Sequence, residues 1–466
     1  MPLDNFAEDD LVKIGTSASS APANGRGQLF IKTFGCQMNE YDSQKVAHLL
    51  ESKYELTDAP EKADLVIINT CSVRDRPEKK LYSMLGELAE MKQNLRPNLI
   101  VGVGGCVAQQ EGQRIVKRSK VVDFVYGTHN LSLVPSMIEM RRNGAAPQVA
   151  IDYRDEWEDL PPGFSGTGRV SVLVSVSRGC NKNCTYCIVP TTRGPEVSRR
   201  LDEILKEVRI AAHRGAREVI LLGQTVNSYG LDLSPRISFA SLIDSVSQVN
   251  GIERIRFISP HPQSVREDFI ELVARNPKVC RHIHMPLQSG SDRILKAMNR
   301  NYRRQRYLEI IAALRSAVSN IAITTDVIVG FPGETEEDFQ ATVDVMEQVR
   351  FESSYSYMFS ARPGTAAAEM QDSVSDADKL ARLKSYQARQ DQISAEHMQS
   401  LVGTQVEVLL EGPSKHNPKQ LQGRISQGVT LNLIDIDQST LEPGMLLQCK
   451  VDSVARYTLR GRVLTD

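Results

Sequence analysis

An apolar run leads directly into a loop with three cysteines in the stretch Val170-Ser171-Val172-Leu173-Val174-Ser175-Val176-Ser177-Arg178-Gly179-Cys180-Asn181-Lys182-Asn183-Cys184-Thr185-Tyr186-Cys187. Their C-x3-C-x2-C spacing allows one short loop to supply all three thiols to a single metal centre. Iron–sulfur clusters are normally held by four thiolates, so three thiolates leave one iron open to a ligand that is not protein. The spacing favours such a cluster. A structural zinc site completed by a distant cysteine or histidine, or three inert buried thiols, are the alternatives.

The apolar run is the first of six predicted strands that alternate with helices. The strands are predicted over residues 169–176, 218–222, 254–258, 282–285, 322–328 and 354–359, with helices such as 201–214, 239–249 and 336–349 between them. This alternation predicts a parallel sheet with right-handed crossovers, and six strands fit a partial (β/α)6 barrel better than the eight-stranded form. Chemistry in such barrels lies at the carboxyl ends of the strands. The cysteine loop and the polar segments 223–227, 259–262, 286–291 and 330–334 fall there.

An N-terminal region shows a second alternation, with a cysteine after each of three predicted strands. The strands cover residues 28–34, 64–69 and 99–103, and Cys36, Cys71 and Cys106 follow them at an equal spacing of 35 residues. Parallel strands place all three thiols at one carboxyl edge, where open α/β sheets bind ligands. We therefore expect a second, shared metal centre. Three small residues that close ordinary turns are the alternative.

The predicted domains are a disordered lead-in (1–26), an N-terminal α/β parallel-sheet domain (27–144), a linker (145–165), the barrel core (166–398) and a small terminal domain (399–466). The chain is 41% hydrophobic and 24% charged with a net charge of −1, so any RNA site must be a local basic patch. Eight cysteines are too few for a secreted disulfide scaffold of 466 residues. We find no signal pattern and no apolar run long enough to span a membrane, and we expect a soluble, cytoplasmic protein.

The terminal domain is predicted to be a small all-β barrel of short strands, over residues 403–411, 421–425, 430–436, 447–454 and 458–463. It holds seven basic and seven acidic residues from Leu401 on, but its basic residues are bunched. Lys415 and Arg424 are therefore candidate RNA contacts, with a solvated face as the alternative. Residues 300–307 interleave basic and aromatic side chains. Arg303 and Arg304 in this run are candidates for RNA phosphates, with a solvated helix start as the alternative.

With these motifs in place, the chain resembles the methylthiotransferases, a branch of the radical S-adenosylmethionine (SAM) enzymes. The resemblance runs from about Gln28 to the C-terminus. Besides the cysteine loop and segments 222–227, 286–291 and 328–334, it rests on Gly35-Cys36-Gln37-Met38-Asn39, Asn69-Thr70-Cys71-Ser72-Val73-Arg74 and Gly105-Cys106-Val107-Ala108-Gln109. The terminal barrel resembles the TRAM domain of the same family.

The resemblance implies two [4Fe-4S] clusters and SAM as cofactors. The cluster that binds SAM would be held by Cys180, Cys184 and Cys187. An auxiliary cluster, which carries the sulfur to be transferred, would be held by Cys36, Cys71 and Cys106. The implied SAM contacts are Tyr186, Gly223, Gln224, Asn227, Gln288, Ser289, Gly330 and Glu334. Thr191 and Pro195 depart from the family pattern around Arg193, which we keep as a candidate substrate contact.

The implied reaction is methylthiolation of C2 of N6-isopentenyladenosine next to the anticodon in tRNA. One SAM would be the methyl donor and another the source of a 5′-deoxyadenosyl radical, with no side chain assigned as acid or base. The implied partners are the anticodon stem-loop, an electron donor such as flavodoxin or ferredoxin, and a sulfur source. The alternatives are the same chemistry on threonylcarbamoyladenosine in tRNA or on a ribosomal-protein aspartate, and a non-catalytic zinc- and RNA-binding protein.

Overall fold

The computed structural model describes residues 25–72, 75–154, 157, 169–414, 417–418, 420–434 and 441–464. Residues 1–24 of the predicted lead-in, most of the predicted linker after residue 154, and Lys415 lie outside this part of the chain. The chain divides into two compact units. The first comprises Met1–Phe164, Arg178–Lys182 and Cys187–Val197, and the second comprises Ser165–Ser177, Asn183–Tyr186 and Ser198–Asp466.

The first unit is built on a six-stranded parallel sheet with the order β2-β1-β3-β4-β5-β6. Its strands are β1 (Gly27–Thr33), β2 (Tyr54–Leu56), β3 (Leu65–Thr70), β4 (Ile100–Gly105), β5 (Phe124–Tyr126) and β6 (Gln148–Ala150). Its helices are α1 (Gln37–Leu50), α2 (Asp75–Asn94), α3 (Cys106–Glu111), α4 (Gln113–Arg118), α5 (Val134–Arg142) and the short α6 (Val189–Arg193). The predicted N-terminal parallel sheet is confirmed.

The central strand β3 shows why the sequence forms a doubly covered sheet. All six of its residues are buried. Val66 and Ile68 pack into the apolar cluster on one face, whereas Leu65 and Ile67 pack into the cluster on the other. A strand buried on both faces appears in the sequence as a continuous apolar run, which is how the pattern predicted it.

The second unit contains the six strands predicted for the barrel core, in two three-stranded parallel sheets with the orders β11-β10-β7 and β12-β13-β14. They are β7 (Ser171–Ser175), β10 (Glu218–Leu222), β11 (Arg254–Phe257), β12 (His282–His284), β13 (Ala322–Val329) and β14 (Ser353–Met358). Two further strands of two residues each, β8 (Ser177–Arg178) and β9 (Val197–Ser198), pair with each other in a separate sheet. The helices are α7 (Leu201–His213), α8 (Phe239–Ser247), α9 (Glu267–Arg275), α10 (Asp292–Ala297), α11 (Arg304–Ala317), α12 (Glu336–Val349) and α13 (Asp376–Ser400). The predicted partial barrel is confirmed.

The terminal domain is a closed five-stranded barrel with the order β15-β16-β17-β19-β18, as predicted. Its strands are β15 (Gln405–Pro413), β16 (Leu421–Ile425), β17 (Thr430–Leu433), β18 (Leu446–Val454) and β19 (Leu459–Val463). Alternate residues of these strands, such as Val408, Leu410 and Val451, form its apolar centre.

The turn between β16 and β17 closes the amino end of the partial barrel. Arg256 donates to the carbonyls of Ile425 (2.8 Å) and Ser426 (3.1 Å), and its Nε bonds the buried Glu218 carboxylate at 2.7 Å. A Cβ on Gly428 of this turn would lie 3.5 Å from the His282 ring. Because Glu218 and His282 begin their strands, this turn lies at the end of the strands opposite to the predicted cofactor residues. Within the described residues, no helix is both long and apolar enough to cross a membrane.

Candidate functional site

The first unit brings Cys36, Cys71 and Cys106 together. They follow β1, β3 and β4, which are neighbours in the sheet. Gly35, with φ of +117°, permits the close approach, since a Cβ there would lie 2.3 Å from the Cβ of Cys71 and 2.9 Å from its Sγ. Three residues spread over 70 positions of sequence thus form one thiol-lined edge, which we call the three-cysteine edge.

The thiols of the three-cysteine edge interact with one another. A hydrogen bond with the Cys71 side chain lowers the pKa of Cys36 below its usual value, and the nearby Arg193 lowers it further. Burial raises the pKa of Cys106, against the opposing effect of Arg193. A thiol whose pKa is lowered more readily becomes the thiolate that binds metal.

Asn39 links the segments that carry the cysteines. Its Nδ2 donates to the carbonyls of Phe34 (3.0 Å) and Thr70 (2.8 Å), the residues that precede the Cys36 and Cys71 turns. Its Oδ1 lies 3.9 Å from the Sγ of Cys106. Asn39 is part of a motif quoted from the sequence, but its contacts with two cysteine turns and with the third thiol are not shown by spacing.

Arg193 lies at the same edge and is buried. Its Nη2 donates to Asn39 Oδ1 and to Asp42 Oδ2, each at 2.8 Å. Burial alone would lower the pKa of the guanidinium, but Asp42 and the thiols of Cys106 and Cys36 more than offset this and raise it. The side chain predicted as a substrate contact is thus engaged with a carboxylate and an amide.

Hydrogen bonds fix the two parts of the loop with three cysteines, each within its own unit. In the first unit, Cys180 donates its N–H to Gly194 O at 3.1 Å, and a Cβ on Gly179 would lie 1.9 Å from Pro195 O, so only glycine fits there. In the second unit, Thr185 donates its N–H to Met298 O at 3.1 Å and its hydroxyl to Ala297 O at 3.0 Å. All three thiols are partly exposed, and this favours contact with a cofactor.

Gln224 has a feature of a ligand site, and it lies with Gly223 at the carboxyl end of β10. The Oε1 of Gln224 is buried and has no hydrogen-bond partner in the described structure. Gly223 lies so close to Ser177 that a Cβ would meet its Oγ at 2.6 Å. A buried acceptor without a partner carries a free-energy cost unless a donor arrives, and SAM offers such donors.

Other predicted SAM contacts are already occupied by protein groups. Asn227 exchanges two hydrogen bonds with the backbone of His261, at 3.0 and 2.8 Å. The Oγ of the buried Ser289 lies 3.4 Å from the hydroxyl of Thr342 on α12. Glu334 accepts from Gly330 N–H (2.7 Å) and from Arg382 (2.9 Å), and burial raises its pKa. These three side chains therefore shape the loops at the strand ends.

Tyr186 and Gln288 lie at the carboxyl ends of the barrel strands. Tyr186 is half-buried against the apolar cluster that includes Met298 and Phe331. Gln288 adopts φ of +70° and bonds Asp326 O through its N–H at 2.8 Å. A left-handed conformation is unusual for a residue with a side chain and here fixes the direction of that side chain.

The RNA-contact candidates have different surroundings. Arg303 is exposed at the start of α11, and Arg304 lies 3.9 Å from Asp344. Arg424 is paired with Glu411 at 3.0 Å, so part of its charge is compensated.

The three-cysteine edge and the cysteine loop fit iron–sulfur clusters by the chemistry of their donors. Each offers three thiols, and at the edge Gly35 permits Cys71 to pack directly against the backbone that precedes Cys36. Among the described residues, no group of three or more His, Cys, Asp or Glu side chains has the geometry of a site for a single metal ion. The fit to a cluster therefore rests on the thiols themselves.

Three family models match the chain in order. They are "Uncharacterized protein family UPF0004" over residues 28–127, "Radical SAM superfamily" over residues 174–346 and "TRAM domain" over residues 399–464. Curated relatives match almost throughout. A tRNA-2-methylthio-N(6)-dimethylallyladenosine synthase of Geobacter sulfurreducens is 46% identical over 94% of this chain and 98% of its own length. The synthase of Geobacter metallireducens is 48% identical over 88% of this chain and 92% of its own length. The synthase of Bordetella avium is 42% identical over 98% of this chain and 97% of its own length.

The chain belongs to this family of radical SAM methylthiotransferases. The resemblance stated from the motifs is therefore confirmed, as is the prediction of an enzyme. The alternative of a non-catalytic zinc- and RNA-binding protein is wrong, because membership covers the whole length of the synthases.

Solved structures of low sequence identity share the fold of the methylthiotransferase chain. The radical SAM methyltransferase TsrM of Kitasatospora setae aligns with a TM-score of 0.55 at 15% identity, covering 73% of this chain and 75% of TsrM. The SAM radical enzyme OxsB aligns with a TM-score of 0.50 at 12% identity, covering 78% of this chain and 56% of OxsB. Identities this low support the arrangement of the strands alone.

Proposed function

We propose that this chain methylthiolates C2 of N6-dimethylallyladenosine, also called N6-isopentenyladenosine, next to the anticodon in tRNA. The observation that carries the proposal is the three-cysteine edge, which accompanies a separate three-cysteine loop in a chain of this family. Two sets of three thiols suit two [4Fe-4S] clusters, each with one iron that protein does not bind.

The clusters and SAM would supply the reactive groups. When bound, the clusters and SAM provide a radical able to act at an aromatic C2–H, which has no usable acidity, together with the methyl group and the sulfur. The protein's own contribution is to hold thiolates, position SAM and exclude water. No side chain is assigned as acid or base.

The residues have separate roles in this proposal. Cys180, Cys184 and Cys187 would hold the cluster that binds SAM, and the three-cysteine edge would hold the auxiliary cluster. Gln224 would accept a hydrogen bond from SAM, since its buried Oε1 has no partner. Gly223, Gly330 and Gln288 would shape the backbone beside SAM, and Tyr186 would lie near its adenine.

The named relatives support the substrate. All of the relatives reported above are synthases of 2-methylthio-N(6)-dimethylallyladenosine in tRNA, which favours this nucleoside over threonylcarbamoyladenosine and over a ribosomal-protein aspartate. The TRAM domain and exposed Arg303 are the proposed contacts for the anticodon stem-loop. A flavodoxin or ferredoxin as electron donor, a separate sulfur source and a cytoplasmic location complete the proposal.

The test is a reaction with defined tRNA. The full chain, reconstituted without oxygen with iron and sulfide, is given SAM, a reductant and tRNA that carries dimethylallyladenosine. We expect the methylthio nucleoside and 5′-deoxyadenosine by mass spectrometry, and no product with matched tRNA that carries unmodified adenosine. Product on threonylcarbamoyladenosine but not on dimethylallyladenosine would contradict the substrate. Failure to take up two clusters would contradict the chemistry.

A further inference from the structure

Arg193 is a buried cation at the three-cysteine edge. It is the last residue of α6, and its side chain is 5% exposed. A residue so enclosed is poorly placed to contact a tRNA phosphate or a base. Its surroundings point to a different use.

The guanidinium is fixed by two groups from α1. Its Nη2 donates to Asp42 Oδ2 and to Asn39 Oδ1, both at 2.8 Å. Asn39 in turn holds the backbone before the Cys36 and Cys71 turns and lies beside the Cys106 thiol. The positive charge is thus fixed beside the thiols by the same amide that supports the Cys36 and Cys71 turns and contacts the Cys106 thiol.

The Arg193 guanidinium can compensate the negative charge of a cluster held at the three-cysteine edge. A [4Fe-4S]²⁺ core held by three thiolates is anionic, and one-electron reduction adds a further negative charge. Burying negative charge is costly unless a cation or hydrogen-bond donors compensate it. The reduction potential of such a cluster depends on its net charge, on hydrogen bonds to its sulfurs and on its exposure to solvent. A fixed guanidinium nearby favours the reduced form.

We propose that Arg193 is the charge-compensating and positioning residue of the auxiliary cluster, and that Asp42 sets how much of its charge the cluster senses. This inference rests on the proposed function, because it takes the thiols of the three-cysteine edge as cluster ligands. The Arg193–Asp42 pair is close to neutral as a whole, so removing either member exposes the other. The two single substitutions therefore act on the cluster in opposite directions.

The experiment measures the reduction potential of the auxiliary cluster alone. The full chain with Cys180, Cys184 and Cys187 all replaced by Ala is reconstituted without oxygen with iron and sulfide, then titrated while the reduced cluster is followed by electron paramagnetic resonance. Arg193→Met should lower the equilibrium constant for reduction at least tenfold, which corresponds to a shift of at least about 59 mV to lower potential for one electron. Asp42→Asn should shift the potential upward, and Arg193→Lys, which keeps the charge, should stay nearer the parent than Arg193→Met.

A matched control is the Arg141–Asp123 pair of the same unit. Arg141 bonds the buried Asp123 at 2.6 Å, and Asp123 precedes β5 at the amino edge of the sheet. Arg141→Met removes the same charge from the opposite edge and should leave the potential unchanged. If Arg193→Met cannot retain a cluster, the Asp42→Asn variant tests the proposal alone: an upward shift of the potential supports it, and a downward shift or no shift contradicts it.

Three results would overturn the inference. They are equal potentials in the parent, Arg193→Met and Asp42→Asn chains, shifts of both variants in one direction, or a shift in Arg141→Met as large as in Arg193→Met. Failure of the parent chain to take up any cluster is a separate result. It would overturn the proposed function and this inference with it.

Discussion

Arg300 donates a hydrogen bond from Nη1 to the Sγ of Cys184 over 3.6 Å. Its Nη2 bonds Pro286 O at 3.0 Å and its Nε bonds the Tyr302 hydroxyl at 3.1 Å, so the guanidinium is fixed on all sides. Donors to the sulfur of a ligating cysteine help to set the reduction potential of a cluster. Sequence reasoning placed Arg300 only within a basic and aromatic run, because its partner lies 116 positions away.

Replacing Arg300 by Met should slow reductive cleavage of SAM by roughly 10- to 100-fold, as is usual when an outer-shell partner of a metal ligand is lost. The measurement is the rate of 5′-deoxyadenosine formation by chain with a full iron content. Arg275→Met is the control, since Arg275 is exposed on α9 of the same unit and bonds only Asp244 among the contacts described. Cleavage at the parent rate in Arg300→Met would show that this hydrogen bond has no influence on the cluster.

The two sets of cysteines should be separable by substitution. Chain in which Cys180, Cys184 and Cys187 are replaced by Ala should hold about half the iron and form no 5′-deoxyadenosine. Chain in which Cys36, Cys71 and Cys106 are replaced should also lose about half the iron but still cleave SAM, without transferring sulfur. Loss of SAM cleavage in the second chain, with its remaining cluster intact, would contradict separate roles.

Gln224→Ala should weaken SAM binding about three- to tenfold, because one neutral hydrogen bond contributes roughly 0.5–1.5 kcal/mol. Its buried Oε1 has no partner in the described structure, so the free chain should lose little stability. Equilibrium binding of SAM to reconstituted chain measures the effect, with Gln248→Ala at the exposed end of α8 as control. Equal affinity in both variants would remove Gln224 from the SAM site.

His282 should make the stability of the chain depend on pH. Burial, with Arg256, His284 and Arg424 nearby, lowers the pKa of His282 from 6.5 to about 3. The unfolded chain takes up this proton below pH 6.5 whereas the folded chain does not, so stability falls as pH drops from 6.5 toward 3, by at most about 1.4 kcal/mol per pH unit. His282→Gln, which keeps a polar group near Thr324, should reduce the difference in urea midpoint between pH 7.5 and 5.5.

The control for that comparison is His213→Gln, because His213 is exposed at the end of α7. It should leave the pH dependence of the urea midpoint unchanged. A His282→Gln chain with the same pH dependence as the parent would mean that His282 takes up its proton in the folded state as readily as in the unfolded state.

The sequence predicted the core strands well because parallel strands are buried on both faces. β3 and β10 are fully buried and appear as apolar runs with turn residues after them. The edge strands β2 and β6 have three residues each and carry no such pattern, and β6 lies within the predicted linker.

The candidate site was predictable in its cysteines but not in its supporting contacts. Equal spacing placed three thiols at one edge without any knowledge of Asn39 or Asp42, which meet Arg193 from about 150 positions away. Glu334 matches a family motif, yet it is engaged by Arg382 on a helix that follows much later. Motifs identify residues that bind cofactors, whereas pairings between distant elements decide which of them are available to do so.

The most direct test of the proposed function is nucleoside mass spectrometry of tRNA from cells that lack this chain. We expect the 2-methylthio derivative of N6-dimethylallyladenosine to disappear and its unmethylthiolated precursor to accumulate. Expression of the parent chain should restore the derivative, whereas a chain without Cys36, Cys71 and Cys106 should not. An unchanged level of the methylthio nucleoside in cells without the chain would contradict the assignment.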